Sequence, residues 1–164
     1  MLTKSPIVIV GFGSQARAWA LNLRDSKIDL RIALRPHSSS QKKAESLRFQ
    51  CISLETETLK NYSLYIVLTP DDSHSRFFQE NHQHFQTGTH FVYAHGFSLS
   101  KDRLHELFPQ FSHSLLAPKA IASDVRFQYE TKGKIGAAYF APSKSAELEL
   151  KALADQVGFT ALYQ

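Results

Sequence analysis

The apolar run Ile7-Val8-Ile9-Val10 ends directly on Gly11-Phe12-Gly13-Ser14-Gln15-Ala16, and no other junction limits the fold of this chain as much. Four β-branched residues bounded by glycine read as a strand buried on both faces. The segment that follows, residues 14–25, sets Ala16, Ala20, Leu21 and Leu23 around one side at helical spacing. A strand that turns through G-x-G-x-x-A into a helix opens a dinucleotide-binding βαβ unit. Gly11 permits the tight turn, Gly13 lets a pyrophosphate approach the backbone, and Ala16 keeps the helix close to the strand. Amide groups at the start of the helix face the anion. Glycine pairs also occur in ordinary tight turns, so it is the strand-to-helix placement that gives this pair its weight.

Short apolar runs keep alternating with amphipathic stretches along the rest of the chain, which predicts an α/β domain: a three-layer Rossmann fold with a mostly parallel, doubly wound sheet. A second strand is expected at residues 30–34. Ser38-Ser39-Ser40 offers a cap to a helix running to about Arg48, and residues 51–54 form a weak third strand. Residues 65–68 make a clearer fourth, stopped by Thr69-Pro70-Asp71-Asp72, which also offers the cap of a new helix. Further strands are expected at 90–94, 115–117, 137–141 and 159–163, turns at 85–90 and 132–136, and a helix near 143–157 closed by Gly158. No repeat, linker or low-complexity stretch interrupts the series, so 164 residues predict one domain.

Composition narrows the function classes. The formal charge is +4, but Lys and Arg are scattered without a run of like charge, which points to anionic small ligands rather than nucleic acid. Cys51 is the one cysteine, which excludes an internal disulfide and a Cys-based metal cage and fits the cytoplasm. The longest apolar runs fall far short of the roughly 20 residues a membrane helix needs, so no membrane partner is expected.

The end of the second strand bears on cofactor choice. An acidic residue there would hold the ribose 2′-hydroxyl of NAD and repel a 2′-phosphate. This chain instead reads Leu34-Arg35-Pro36-His37-Ser38-Ser39-Ser40, a guanidinium followed by hydroxyls suited to a phosphate. The same residues also read as a surface charge and a helix cap.

Several blocks together resemble one family. Gly11-Phe12-Gly13-Ser14-Gln15 with Ala20-Leu21-Asn22-Leu23-Arg24-Asp25-Ser26, Leu34-Arg35-Pro36 with Ser38 and Ser40, Leu68-Thr69-Pro70-Asp71, Ala94-His95-Gly96-Phe97-Ser98 and Ala117-Pro118-Lys119-Ala120 occur in the order and at intervals similar to those of the NADP-binding half of ketol-acid reductoisomerase (acetohydroxyacid isomeroreductase). The resemblance runs from about Pro6 to Gln164. It implies an NADPH-dependent enzyme of branched-chain amino-acid synthesis, which uses magnesium for an alkyl migration in an acetohydroxy acid and then reduces the product with hydride. By the same resemblance Phe12, Gly13, Ser14 and Gln15 would line the pyrophosphate, and Arg35, Ser38 and Ser40 the 2′-phosphate. Asp71 would meet the cofactor's other edge, His95 would be the active-site histidine, and Lys119 would lie near the nicotinamide end.

On chemical grounds His95, just past a strand's carboxyl end, stands where open α/β sheets bind ligands and can position or exchange a proton. It also reads as a histidine that only shapes its turn, and Lys119 as a turn cap rather than an anchor for an anionic substrate. The chain departs from the family pattern at Ala16, Arg17, Ala120-Ile121-Ala122-Ser123 and Lys132-Gly133-Lys134-Ile135-Gly136.

The family's magnesium carboxylates lie in a helical domain that would begin near Gln164. The migration is therefore not expected from these residues alone. Asp71, Asp72, Asp102 and Glu106 have the spacing of caps and exposed faces, so no metal site is expected here. The expected function is NADP(H) binding, either in a reductoisomerase completed by a separate helical partner or in a reductase of another small keto compound. A nucleotide-sensing or interaction module and a homo-oligomer also remain open.

Two other signals have plain explanations. His82-Gln83-His84 with His90 is the densest histidine group, but alternate helical positions point to different sides. Phe77, Phe78, Phe85, Phe91, Phe108 and Phe111 are expected in the core rather than as a stacking surface for nucleic acid, while Trp19 covers either a neighbouring element or an exposed contact patch.

Overall fold

A computed structural model describes residues 5–164. The strands are β1 (Ile7–Val10), β2 (Leu30–Leu34), β3 (Cys51–Ser53), β4 (Leu64–Val67), β5 (His90–Tyr93), β6 (Ser112–Pro118), β7 (Gly136–Phe140) and β8 (Ala161–Tyr163). They form one sheet in the order β3-β2-β1-β4-β5-β6-β7-β8. Every pairing is parallel except that of β6 with β7. The helices are α1 (Ser14–Asp25), α2 (Gln41–Ser46), α3 (His74–Asn81), α4 (Phe97–Ser100), α5 (Leu104–Leu107), α6 (Ala122–Glu130) and α7 (Lys144–Val157).

Alternation along β1 sorts the two cores. Ile7 and Ile9 face a layer that includes Trp19, Leu23, Ala44, Leu150 and Phe159. Val8 and Val10 face the opposite layer, which holds Leu59, Phe77, Phe78, Phe85 and Leu104. Helices on both faces of a mostly parallel sheet make the three-layer Rossmann arrangement. Among the described residues, no helix is long and apolar enough to cross a membrane.

The second core is largely aromatic. Phe78 meets Phe91 edge-on at 4.7 Å between ring centroids, and Phe85 meets Tyr65 at 5.0 Å. Phe77, Phe85 and Phe111 are buried as expected, and Phe108 packs against the same cluster. Trp19 is wholly buried in the other core, edge-on to Phe159 at 5.2 Å, so it covers a neighbouring element and forms no surface patch.

Three local expectations need correction. The helix after Ser38-Ser39-Ser40 ends at Ser46, because Arg48 adopts a left-handed φ of 63°. Its cap position, Ser40, is already helical and makes no side-chain cap; instead Ser38 Oγ accepts the Ser40 amide at 3.3 Å. Asp71 and Asp72 do not cap α3 either, but lie in a short 3-10 turn, Asp71–Ser73, tied by Ser73 Oγ donating to the Pro70 carbonyl.

Helix α6 has no counterpart in the sequence reading. Its one buried residue is Val125, and polar links fix it in place. Asn22 of α1 is buried; its Nδ2 donates to the carbonyls of Val125 (3.3 Å) and Val157 (2.8 Å), and its Oδ1 accepts Arg126 Nη1 at 2.9 Å. One side chain thus joins α1, α6 and the end of α7.

Candidate functional site

The strand order reverses between β1 and β4, so the loops leaving these two strands diverge and open a crevice at their carboxyl ends, where such sheets bind ligands. The cleft found there is lined on one side by Gly11, Phe12, Gly13, Arg35, Ser38 and Ser40. The residues Thr69, Ser73, Arg76, Phe77, Glu80 and Asn81 close the other side.

The phosphate loop has the geometry its sequence requires. Gly11 has φ +91°, and a Cβ there would lie 2.9 Å from Thr69 Cγ2. Both facts call for glycine. Gly13 is the cap of α1 with an ordinary φ of −74°, and a Cβ there would meet nothing within 4 Å. The space over Gly13 is therefore open to a ligand. The Phe12 ring is buried edge-on to Phe49 at 5.6 Å, so what this residue can offer the cleft is its backbone.

Among the described residues, Thr69 Oγ1 and Gln15 Oε1 are buried without a hydrogen-bond partner. Orphaned polar atoms cost stability unless a ligand or water meets them. Thr69 lines the cleft, so its hydroxyl fits a polar cofactor there, whereas Gln15 and the equally unpartnered Trp19 Nε1 are not part of its lining. The Gln15 amide Nε2 donates to the Ala120 carbonyl at 3.3 Å, bridging the phosphate loop to the loop after β6. Ser14 is exposed and lines the neighbouring hollow between α1 and α6.

Asp71, His95 and Lys119 lie outside this cleft. Nδ1 of His95 stands 2.9 Å from Oδ2 of Asp71, joining the loops after β4 and β5. Nδ1 also accepts the Phe97 backbone amide at 3.4 Å, so the ring is held between the two loops. Lys119 is exposed at the carboxyl end of β6, its amide donating to the Gly136 carbonyl at 2.8 Å.

A buried histidine braces both loops. His74 Nε2 lies 3.0 Å from the Thr69 carbonyl, which can only accept, so Nε2 carries the proton and Nδ1 accepts the Ser98 hydroxyl at 2.5 Å. Burial pushes the His74 imidazole below its ordinary range, opposed by the Thr69 carbonyl.

At the other end of the sheet, His90 bridges Ser114 Oγ and Glu149 Oε2, both at 2.7 Å. That is the connectivity of a hydrolytic triad, but Ser114 is fully buried and open to no substrate. The group links β5, β6 and α7.

A sequence model of the family "Acetohydroxy acid isomeroreductase, NADPH-binding domain" matches residues 1–160. The chain belongs to this family. It is 35% identical over 126 residues to a ketol-acid reductoisomerase (NADP(+)) of Kocuria rhizophila, covering 76% of this chain and 36% of that enzyme. The corresponding enzyme of Psychrobacter cryohalolentis is 32% identical over 132 residues, covering 79% and 38%. The chain therefore spans little more than a third of the length of these relatives.

Among solved structures, an NADH-preferring ketol-acid reductoisomerase from an uncultured archean superposes on this isomeroreductase domain with a TM-score of 0.83 at 19% identity, over 97% of this chain and 51% of that one. Mycobacterium tuberculosis 3-hydroxyisobutyrate dehydrogenase superposes with 0.78 at 11% identity, over 99% and 54%. Both likenesses speak for the fold.

The structure thus gathers Gly11, Phe12, Gly13, Arg35, Ser38 and Ser40 in one cleft and places Gln15 beside it, while Asp71 and His95 form a separate pair and Ser14 and Lys119 stand apart. The sequence reading missed Thr69, Arg76 and Glu80 as cleft residues. The spacing of Ser73, Arg76, Phe77 and Glu80, which share one helical stripe, was the available signal. Among the described residues, no group of three or more His, Cys, Asp or Glu side chains is arranged to hold a metal.

Proposed function

We propose that this isomeroreductase domain binds NADP(H) in the cleft between β1 and β4. Arg35, Ser38 and Ser40 would take the 2′-phosphate, while the backbone from Gly11 to Gln15 would line the pyrophosphate. The observation that carries this reading is the convergence of a guanidinium, two hydroxyls and the phosphate loop on one wall of a single cleft. A phosphate dianion is well matched by a planar guanidinium flanked by hydroxyl donors.

Bound there, the cofactor would supply the hydride for reduction. This chain's own residues bind it, orient it and place a proton carrier nearby. His95, exposed beside Asp71 at the carboxyl end of β5, is placed to accept or return a proton at a substrate oxygen. Lys119, at the same end of the sheet, supplies positive charge for an acidic substrate such as an acetohydroxy acid. We assign isomeroreduction to this domain only together with a helical domain that carries the magnesium ligands, and no metal-dependent step is placed on the residues described.

Titration of this chain with NADPH and NADH tests the reading. NADPH should bind at least several-fold more tightly, and Arg35→Ala should abolish the difference. Equal affinities in the unsubstituted chain would refute it.

A further inference from the structure

The cleft wall opposite Arg35 is the outer stripe of α3. Phe77 and Asn81 are mostly buried, and Asn81 Nδ2 donates to the Phe77 carbonyl at 2.8 Å, so the stripe is anchored in the core. Arg76 and Glu80, one turn apart, project from it with Arg76 Nε 2.6 Å from Glu80 Oε1. Both side chains are largely exposed at the rim and both line the cleft. Glu80 is the one carboxylate among the residues lining this cleft, and Arg35 and Arg76 are its cations.

An acidic side chain beside the adenosine ribose favours a 2′-hydroxyl, which can donate to it, and repels a 2′-phosphate. The end of β2 offers no such acid, but Glu80 brings one into the same cleft from the opposite wall. Paired, it is neutralised by Arg76. Unpaired, it would cancel the charge of Arg35 and remove the electrostatic preference for the phosphorylated cofactor.

We propose that Arg76 and Glu80 form a second cofactor-selectivity element, in which Arg76 screens Glu80 and so keeps that carboxylate from cancelling the charge of Arg35, which supplies the preference for NADPH over NADH. The proposal rests on NADP(H) occupying this cleft. It concerns discrimination, which is read separately from binding itself. Because both side chains are exposed, replacing them leaves the core intact.

The test is calorimetric titration of the unsubstituted chain, Arg76→Ala, Glu80→Gln and the double variant with NADPH and NADH. Thermal unfolding serves as the control for folding. Arg76→Ala should weaken NADPH by about tenfold and change NADH by less than about twofold. Adding Glu80→Gln to it should recover at least about threefold of the NADPH loss, because the unscreened carboxylate is gone. An unchanged NADPH-to-NADH ratio in Arg76→Ala, or no recovery in the double variant, overturns the proposal while leaving cofactor binding intact. An unsubstituted chain that binds neither nucleotide overturns the functional reading itself, and this inference with it.

Discussion

Nδ1 of His95 and Oδ2 of Asp71, 24 residues apart in sequence, stand 2.9 Å from one another across the loops that leave β4 and β5. The Phe97 amide approaches the same ring nitrogen at 3.4 Å. The amide donates to that nitrogen, while the carboxylate stands at ion-pair distance from it without hydrogen-bond geometry.

The His95 side chain is 70% exposed, and such pairs contribute modestly to stability. Asp71→Ala and His95→Ala should each cost less than about 1 kcal/mol in urea unfolding. The double variant should lose no more than the worse single one, since both changes remove one contact. Additive losses would show that the two residues act separately.

The two loop glycines should respond differently to alanine. Gly11→Ala meets a positive φ and a 2.9 Å approach to Thr69 Cγ2, and should cost about 1–3 kcal/mol of stability while weakening NADPH. Gly13→Ala has an ordinary φ and open space, so urea unfolding should show less than about 0.5 kcal/mol of change. Its methyl group would instead occupy the path of the pyrophosphate, and calorimetry should show NADPH binding weakened by about tenfold or more.

His113 makes stability sensitive to acid. Its Nε2 donates to the Phe108 carbonyl at 3.1 Å and its Nδ1 accepts the Tyr93 hydroxyl at 2.8 Å, so the buried ring is neutral. Burial pushes its pKa down to about 4. The unfolded chain, with an ordinary histidine near 6.5, takes up a proton first. This contribution is therefore complete above about pH 6.5, falls as pH drops towards 4, and is of order 3 kcal/mol at most. Urea unfolding from pH 7.5 to 4.5 should show that loss, and His113→Gln should flatten the slope in this window. A slope unchanged by the substitution would place the acid sensitivity elsewhere.

Asn22 should be costly to replace. Its buried amide serves two carbonyls and one guanidinium, and Asn22→Leu would leave all three without it. The expected loss is about 2–4 kcal/mol in urea unfolding, since buried polar partners would be stranded. A loss below about 1 kcal/mol would show that α6 is held by other contacts.

What could be read in advance follows from which forces act locally. β1, the phosphate loop and α1 were legible because an unbroken β-branched run, a positive-φ glycine and a helical apolar stripe are all local signals. The antiparallel turn of β7 was not, since either strand direction buries Ala137 and Tyr139 alike. Helix α6 escaped because it buries little beyond Val125 and is held by the distant Asn22. At the site, Arg35, Ser38 and Ser40 were legible from their place at a strand end. Glu80 was not, because the stripe it shares with Ser73, Arg76 and Phe77 does not say how α3 lies across the sheet and which of its faces meets the cleft.

Calorimetric titration of the unsubstituted chain with NADPH and NADH, repeated with Arg35→Ala, tests the central claim most directly. The account predicts NADPH several-fold tighter than NADH in the first and the advantage gone in the second. Equal binding of both nucleotides by the unsubstituted chain, or an advantage that survives the loss of Arg35, would contradict it.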